Sequence, residues 1–212
     1  MIILAVSDTH GDISKVRESL DMLGDIPIDI VAYLGAVYEG EEEEIKKRLV
    51  EVKHHIGILG NHNKENYMDR LGIKNIHGMV EDVEGVKFMG VEGCLKSKDY
   101  YSVVYTQDEI NKLTQKLGKS DVILSHAKPF KYGESLEGEN AGFIGLSNYI
   151  YKHAPKFCIH GHMHTNYIDM WKFKGKKTCV VGVHGFSLIN LKSGLVTRVK
   201  GERYVRKTSY CV

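Results

Sequence analysis

Four short blocks of this sequence carry metal-binding residue types, and each follows a run of apolar, often branched residues. They are Asp8-Thr9-His10, Gly60-Asn61-His62, Ser125-His126 and His160-Gly161-His162-Met163-His164. Carboxylate, amide and imidazole donors together suit borderline divalent ions such as manganese, iron, nickel or zinc. Two such ions about 3.5–4 Å apart clamp a phosphoryl group and deprotonate a water at neutral pH. The chemistry these donors point to is phosphoester hydrolysis. Cys94, Cys158, Cys179 and Cys211 show no C-x-x-C spacing, so they read as free reduced thiols with no part in it.

The elements that must position these blocks follow from periodicity. Met1 to Val6 is too short for a helix and reads as a buried strand ending at Asp8. Asp12 can cap a helix with Ile13, Val16, Leu20 and Leu23 on one face, ending at Gly24. Ile28 to Leu34 is strand-like. The acids 41–44 followed by Lys46, Lys47 and Arg48 match the dipole of a second helix. The alternation continues with a strand Ile56 to Leu59, a helix near Lys64 to Leu71 and a strand Val86 to Val91. A helix opening at Thr106, a strand Val122 to Leu124, a helix Phe143 to His153 and a strand Phe157 to Ile159 follow. From Tyr167 the strands Tyr167 to Phe173, Lys177 to Val183, Ser187 to Leu191 and Leu195 to Lys200 have no helix between them. They suggest an antiparallel meander flanking the same α/β domain. In such sheets ligands bind beyond the carboxyl ends of the strands, which is where all four donor blocks fall.

The order D-x-H, G-D, G-N-H, H and G-H-x-H resembles that of the calcineurin-like metallophosphoesterases, including their small archaeal and bacterial members. Asp8 and His10, Gly35, Gly60-Asn61-His62, His126 and Gly161-His162-Met163-His164 carry the likeness. The resemblance implies a four-layer αββα sandwich of two mixed β-sheets flanked by helices, with 1–212 as one domain and 166–212 as its antiparallel flank. It implies two divalent metal ions, with Asp8, His10 and His164 on one and Asn61, His126 and His162 on the other. His62 would be the catalytic imidazole and a metal-bridging hydroxide the nucleophile.

Two positions depart from that pattern. Where the family places a metal-bridging aspartate after the glycine, this chain has Ala36. A methyl group binds no metal, so Asp8 remains the single anionic ligand, and weakened binding at the second site with impaired hydrolysis is expected. A lone gap in an otherwise complete ligand set looks more like one deliberate substitution than drift. Glu39 is expected on the loop or the next helix, away from the metals. Asn63 stands where an acid usually orients the catalytic histidine, which lowers the expected basicity of His62.

Of the 11 histidines, five are absorbed by this site. His160 should face away from the metals, and His184, which follows a strand of the flank and could edge the pocket, reads first as core or surface. His54 and His55 are expected near a helix end, His77 and His153 carry no signal, and Tyr100, Tyr101 and Tyr105 read first as packing.

Composition excludes disordered and fibrous classes: 42% of residues are hydrophobic, 26% charged, and the net charge is +2. That near-neutrality is a cancellation. Residues 171–212 contain ten Lys or Arg and one acid, Glu202, for +9, leaving −7 on the rest. The opening has no basic leader, and no apolar run could cross a bilayer, so a cytoplasmic protein without membrane contact is expected. A small phosphorylated molecule or nucleotide is the expected substrate. Two alternatives remain open: a nuclease whose basic flank follows a nucleic-acid backbone, and a catalytically dead binding or scaffold member of the same fold.

Overall fold

The computed structural model describes residues 1–64, 66, 68–97, 101–133, 137–199 and 209–210. Strand β1 (Ile2–Ser7) is buried at every position after Ile2. Helix α1 (Ile13–Leu23) begins where the Asp12 side chain accepts the Lys15 amide, and it stops at Gly24. Strand β2 (Ile30–Tyr33) leads to helix α2 (Glu39–Arg48), whose first turn holds Glu39, Glu41 and Glu42 and whose last holds Lys46, Lys47 and Arg48. This is the charge order that the helix dipole favours.

Strand β3 (His54–Gly57) starts two residues before the Ile56–Leu59 run. His54 and His55 therefore lie on a strand, and the Tyr33 hydroxyl, 3.0 Å from His55 Nδ1, satisfies the buried ring. The helix expected near Lys64 to Leu71 is a single 3-10 turn, Met68–Leu71, among the described residues, closed by Gly72; Glu65 and Tyr67 lie outside them. Short strands β4 (Lys74–Asn75) and β5 (Val80–Val83) precede β6 (Val86–Val91), and β7 (Cys94–Leu95) pairs with β8 (Val104–Tyr105). Helix α3 (Gln107–Lys116) opens on the reciprocal Thr106–Glu109 cap. Strand β9 (Val122–Ser125), helix α4 (Ile144–His153) and strand β10 (Phe157–His160) follow, then β11 (Tyr167–Phe173), β12 (Lys176–Gly182), β13 (Gly185–Asn190), β14 (Leu195–Val199) and β15 (Ser209–Tyr210).

The strands form a sheet ordered β15-β14-β13-β1-β2-β3-β4 and a second ordered β11-β12-β10-β9-β6-β5. Both are mixed: β1, β2 and β3 run parallel while β13 runs antiparallel to β1, and β6, β9, β10 and β12 run parallel while β11 runs antiparallel to β12. One buried cluster fills the space between the sheets, with Ile3, Ala32 and Ile189 from one side and Leu124, Ile159 and Val181 from the other. Val16, Leu20 and Ile45 bury α1 and α2 on the outer face of the first sheet. Ile110, Leu146 and Ile150 do the same for α3 and α4 on the second. Each such side chain contributes about 1.5–3 kcal/mol on burial, and the result is the four-layer αββα sandwich.

The stretch from Tyr167 is not one meander. Strands β11 and β12 extend the second sheet, the chain crosses at Val183-His184, and β13 and β14 extend the first. The reason is burial: Cys179 and Val181 on one hairpin and Ile189 and Val196 on the other all close the same central cluster, which a continuous sheet could not do from both sides.

Cys94 and Cys158 are buried and form no disulfide, and burial pushes the Cys158 thiol up to about 12. Cys179 departs from the expectation of free thiols, because it is disulfide-bonded. Cys211 lies outside the described residues. No helix among the described residues is long and apolar enough to cross a membrane.

Candidate functional site

The loops after β1, β2, β3, β9 and β10 converge on one edge, and backbone hydrogen bonds lock them together. The Asp8 amide donates to the Gly35 carbonyl at 3.1 Å and the His10 amide to the Ala36 carbonyl at 3.2 Å, while the Gly161 amide donates to the His126 carbonyl across the second sheet at 3.0 Å. The sheets are joined where the His162 amide donates to Asp8 Oδ2 at 2.8 Å. Two glycines make this approach possible. A Cβ on Gly161 would lie 1.9 Å from Ser7 Oγ and 2.6 Å from Asp8 Oδ2, and one on Gly60 would lie 2.4 Å from the Ala36 nitrogen. The convergence is bought with backbone strain: Asp8, His10, Ala36, His162 and His164 all have positive φ, between 50° and 66°. Such outliers collect where function over-determines the backbone.

Asp8, His10 and His164 form the first donor group. His10 Nε2 and His164 Nε2 are 2.9 Å apart, and they lie 3.8 and 3.6 Å from Asp8 Oδ1. That oxygen is buried and has no hydrogen-bond partner. Burial pushes the Asp8 carboxyl up, but the neighbouring His164 and His126 imidazoles and the Ser7 hydroxyl outweigh it, so Asp8 is held below the ordinary carboxylate range. Burial lowers His10, whereas Asp8 raises His164. An ionised carboxylate facing two imidazoles is a cation-binding donor set, and its orphaned oxygen fits that occupant.

Asn61, His126 and His162 form the second group. His126 Nδ1 lies 2.7 Å from the Leu34 carbonyl, which can only accept, so the proton sits on Nδ1 and Nε2 presents a lone pair. That lone pair faces Asn61 Oδ1 at 2.8 Å, and Asn61 Nδ2 is buried without a partner. Two acceptors in contact are resolved by a cation between them or by turning the amide over. The His162 ring centroid is 5.1 Å from that of His126, and its Nε2 is a third buried donor atom without a partner. Burial lowers His126 and takes His162 down to about 3, which keeps both imidazoles neutral and able to ligate.

Position 36 lies between these groups. Ala36 is fully buried, its amide is bound by Asn63 Oδ1 at 3.0 Å, and its carbonyl holds His10. Both backbone groups at this position are thus held, and its side chain is a methyl group where the resemblance leads one to expect a carboxylate. Glu39 does not replace it, since its carboxylate pairs with Arg70 at 2.9 Å on the surface. Asn63, which stands where an acid is expected beside His62, bonds to the backbone of the neighbouring loops. Its Oδ1 accepts the amides of Gly60 at 2.7 Å and Ala36, and its Nδ2 donates to the Val37 carbonyl at 3.0 Å, so it staples the β3 loop to the β2 loop.

His62 is exposed at the mouth of the site, with its ring centroid 5.7 Å from that of His10 and 5.0 Å from that of Tyr101. A cleft of about 240 Å³ opens here, lined by Asn61, His62, Tyr101, His162 and His164 together with Glu139 and Asn140. Glu139 and Asn140 carry no motif and could not be found by spacing; a 3-10 turn, Gly138–Ala141, delivers them, anchored where buried Lys128 donates to the Ala141 carbonyl at 3.3 Å. His184 borders the site as well, since its ring stacks on His164 at 5.4 Å. It follows a strand end as the candidate ligands do, so the edge of the pocket, the lesser of the two readings its sequence position allowed, is where it lies.

The other histidines have structural partners. His160 Nδ1 and Nε2 lie 2.9 and 2.6 Å from the Gly161 carbonyl and the Tyr167 hydroxyl, His77 stacks on Tyr105, and His153 packs on Tyr149. Tyr100 lies outside the described residues.

A sandwich with this donor set at its edge defines the class of metal-dependent phosphoester hydrolases. The sequence matches the calcineurin-like phosphoesterase superfamily domain over residues 1–183, and the chain belongs to that superfamily. An uncharacterized protein of Methanocaldococcus jannaschii is 27% identical over 180 residues, covering 77% of this chain and 80% of the relative. Among solved structures, TT1561 of Thermus thermophilus is similar with a TM-score of 0.59 and 16% identity, covering 90% of this chain and 94% of that one. Phosphopantetheinyl hydrolase from Mycobacterium tuberculosis is similar with a TM-score of 0.55 and 13% identity, covering 86% and 89%. At these identities the likeness speaks for the fold.

Proposed function

We propose that this protein is built as a dinuclear-metal phosphoesterase acting on a small phosphorylated molecule or nucleotide, and that Ala36 weakens its second metal site and slows turnover. The observation that carries this reading is the set of buried donor atoms without partners, Asp8 Oδ1 and His162 Nε2, beside the acceptor-to-acceptor contact of His126 and Asn61. Unsatisfied buried polar atoms cost about 1–3 kcal/mol each, and divalent cations bound beside them would satisfy them. Asp8, His10 and His164 would hold one ion and Asn61, His126 and His162 the other. The ions, when bound, supply charge neutralisation of the phosphoryl group and a hydroxide nucleophile at neutral pH.

The chain's own residues do the rest. His62, exposed beside His10, is placed to stabilise charge on the phosphoryl oxygens or to protonate the leaving group. Tyr101, Glu139 and Asn140 wall the cleft and orient the substrate. The superfamily membership of the chain and the structural likeness of a protein described as a novel archaeal phosphodiesterase, with a TM-score of 0.50, are consistent with this reading.

Calorimetric titration with manganese, nickel and zinc tests it, together with assays on an aryl phosphodiester and an aryl phosphomonoester. One tight and one weak site, with Ala36→Asp tightening the weak site and raising turnover, is the expected result. Two equally tight sites in the unaltered chain would remove the role assigned to Ala36. Inactivity of Ala36→Asp with both sites filled would favour a binding or scaffold protein.

A further inference from the structure

At the outer end of the second sheet three aromatic rings cluster at the surface. Tyr151, on the last turn of α4, is 57% exposed, and Phe173 on edge strand β11 is 37% exposed. Their centroids are 4.8 Å apart, and half-buried Trp171 completes the group at 6.3 Å from Tyr151 and 6.1 Å from Phe173. Lysines surround the rings. Lys174 Nζ lies 5.3 Å from the Phe173 centroid, Lys176 is the cross-strand partner of Phe173, and Lys152 follows Tyr151. Burial and the positive charge of Lys152, Lys119 and Lys176 hold His153 below its ordinary value, so these charges add up at one place. Asp169, exposed two residues before Trp171 on the same face, is the only acid of this strand and bounds the patch.

Edge lysines alone have a bland explanation, because they discourage strand-to-strand aggregation. They do not explain the rings left open to water beside them. A second copy of the chain is a poor occupant: pairing β11 with β11 would set Lys172 and Lys174 of each copy against the same lysines of the other. Rings that offer π-faces, interleaved with ammonium groups, complement a polyanion that carries flat bases.

We propose that Tyr151, Trp171 and Phe173, with Lys152, Lys174 and Lys176, form a binding site for single-stranded nucleic acid. Bases stack on the rings and phosphates meet the lysines. The site is distinct from the metal-ligand edge, and the proposal stands whether or not the phosphoester reading holds.

Trp171 is the chain's one tryptophan, so its emission reports on the patch directly. Titration of the full chain with oligothymidylate of about 20 nucleotides should quench that emission at low salt, and log K should fall with log salt at a slope of about −2, for three phosphate contacts. By anisotropy of a labelled oligonucleotide, Tyr151→Ala should bind roughly tenfold more weakly, and Lys174→Glu with Lys176→Glu should flatten the salt slope. Heparin, which has charge without bases, should bind with little quenching. Absence of quenching by the oligonucleotide, or affinity unchanged in Tyr151→Ala, overturns the proposal. So does a concentration-dependent dimer, seen by sedimentation, that Tyr151→Ala abolishes, since the rings would then belong to a second copy.

Discussion

Asn63 Oδ1 accepts two backbone amides at once, from Gly60 at 2.7 Å and Ala36 at 3.0 Å, and so ties the loop that carries Asn61 and His62 to the loop after β2. Its Nδ2 makes a third bond to the Val37 carbonyl. Asn63→Ala removes the bonds that this side chain makes to two buried N–H groups and to one carbonyl. A loss of about 2–4 kcal/mol is expected in denaturant unfolding. Asn63→Asp keeps both acceptor bonds but sets a buried carboxylate oxygen against the Val37 carbonyl, so its cost should be smaller at low pH, where the protonated carboxyl can donate, than at pH 7.

Ala36 should behave oddly under substitution. Its φ of +50° costs an L-residue about 1 kcal/mol or more. Ala36→Gly, which weakens most regular structure, is therefore expected to leave stability unchanged or raise it by up to about 1 kcal/mol. A loss of that size by denaturant unfolding would show that the methyl group packs better than its backbone is strained.

Gly161→Ala tests the closeness of the two sheets. The added Cβ meets Ser7 Oγ and Asp8 Oδ2 at distances no real contact allows. Either Asp8 or the loop with His162 and His164 must move. Calorimetry should then show loss of metal binding at the Asp8 site, even in protein whose circular dichroism is unchanged.

Glu42 gives a pH signature away from the metals. Its side chain is buried, neither oxygen has a hydrogen-bond partner, and burial together with Glu41 and Glu39 pushes the carboxyl up to about 8. A folded-state value above the unfolded one means that this contribution to stability is fully present below about pH 4.5 and is lost as pH rises towards 8. Glu42→Gln should remove that slope. The expected result is a gain of a few kcal/mol, or several degrees in Tm, at pH 8 with little change near pH 4.5; an equal effect at both pH values would mean that Glu42 stays ionised.

Divalent metal should also stabilise the native state. Manganese, nickel or zinc is expected to raise Tm by adding RT ln(1 + [L]/Kd) to the stability, and His164→Ala should abolish the part due to the tighter site. An undiminished shift in that variant would place the ion elsewhere.

The local features were legible because they depend on neighbours in sequence. Branched apolar runs, the Asp12 and Thr106 caps and the charge order of α2 specify their elements without tertiary help, and β6, α3 and β11 fall where periodicity puts them. The candidate donors were legible for a related reason: few residue types ligate, and these follow strand ends, where Asp8, His10 and His164 come within reach of one ion. Other features depended on partners distant in the chain. The split of the last strands between two sheets follows from a core that both hairpins close, and β3 starts at His54, which pairs with Ile30 of β2, with Tyr33 of the same strand bonding His55.

The sequence by itself determined which residues offer metal-binding atoms and that position 36 offers none, since side-chain chemistry does not depend on the fold. Only the tertiary structure decided that Asn63 serves as a staple, that Glu139, Asn140 and His184 border the ligands, and that Tyr151 meets Trp171 and Phe173 at the surface. Those relationships join residues tens of positions apart, and no local propensity encodes the distance between them.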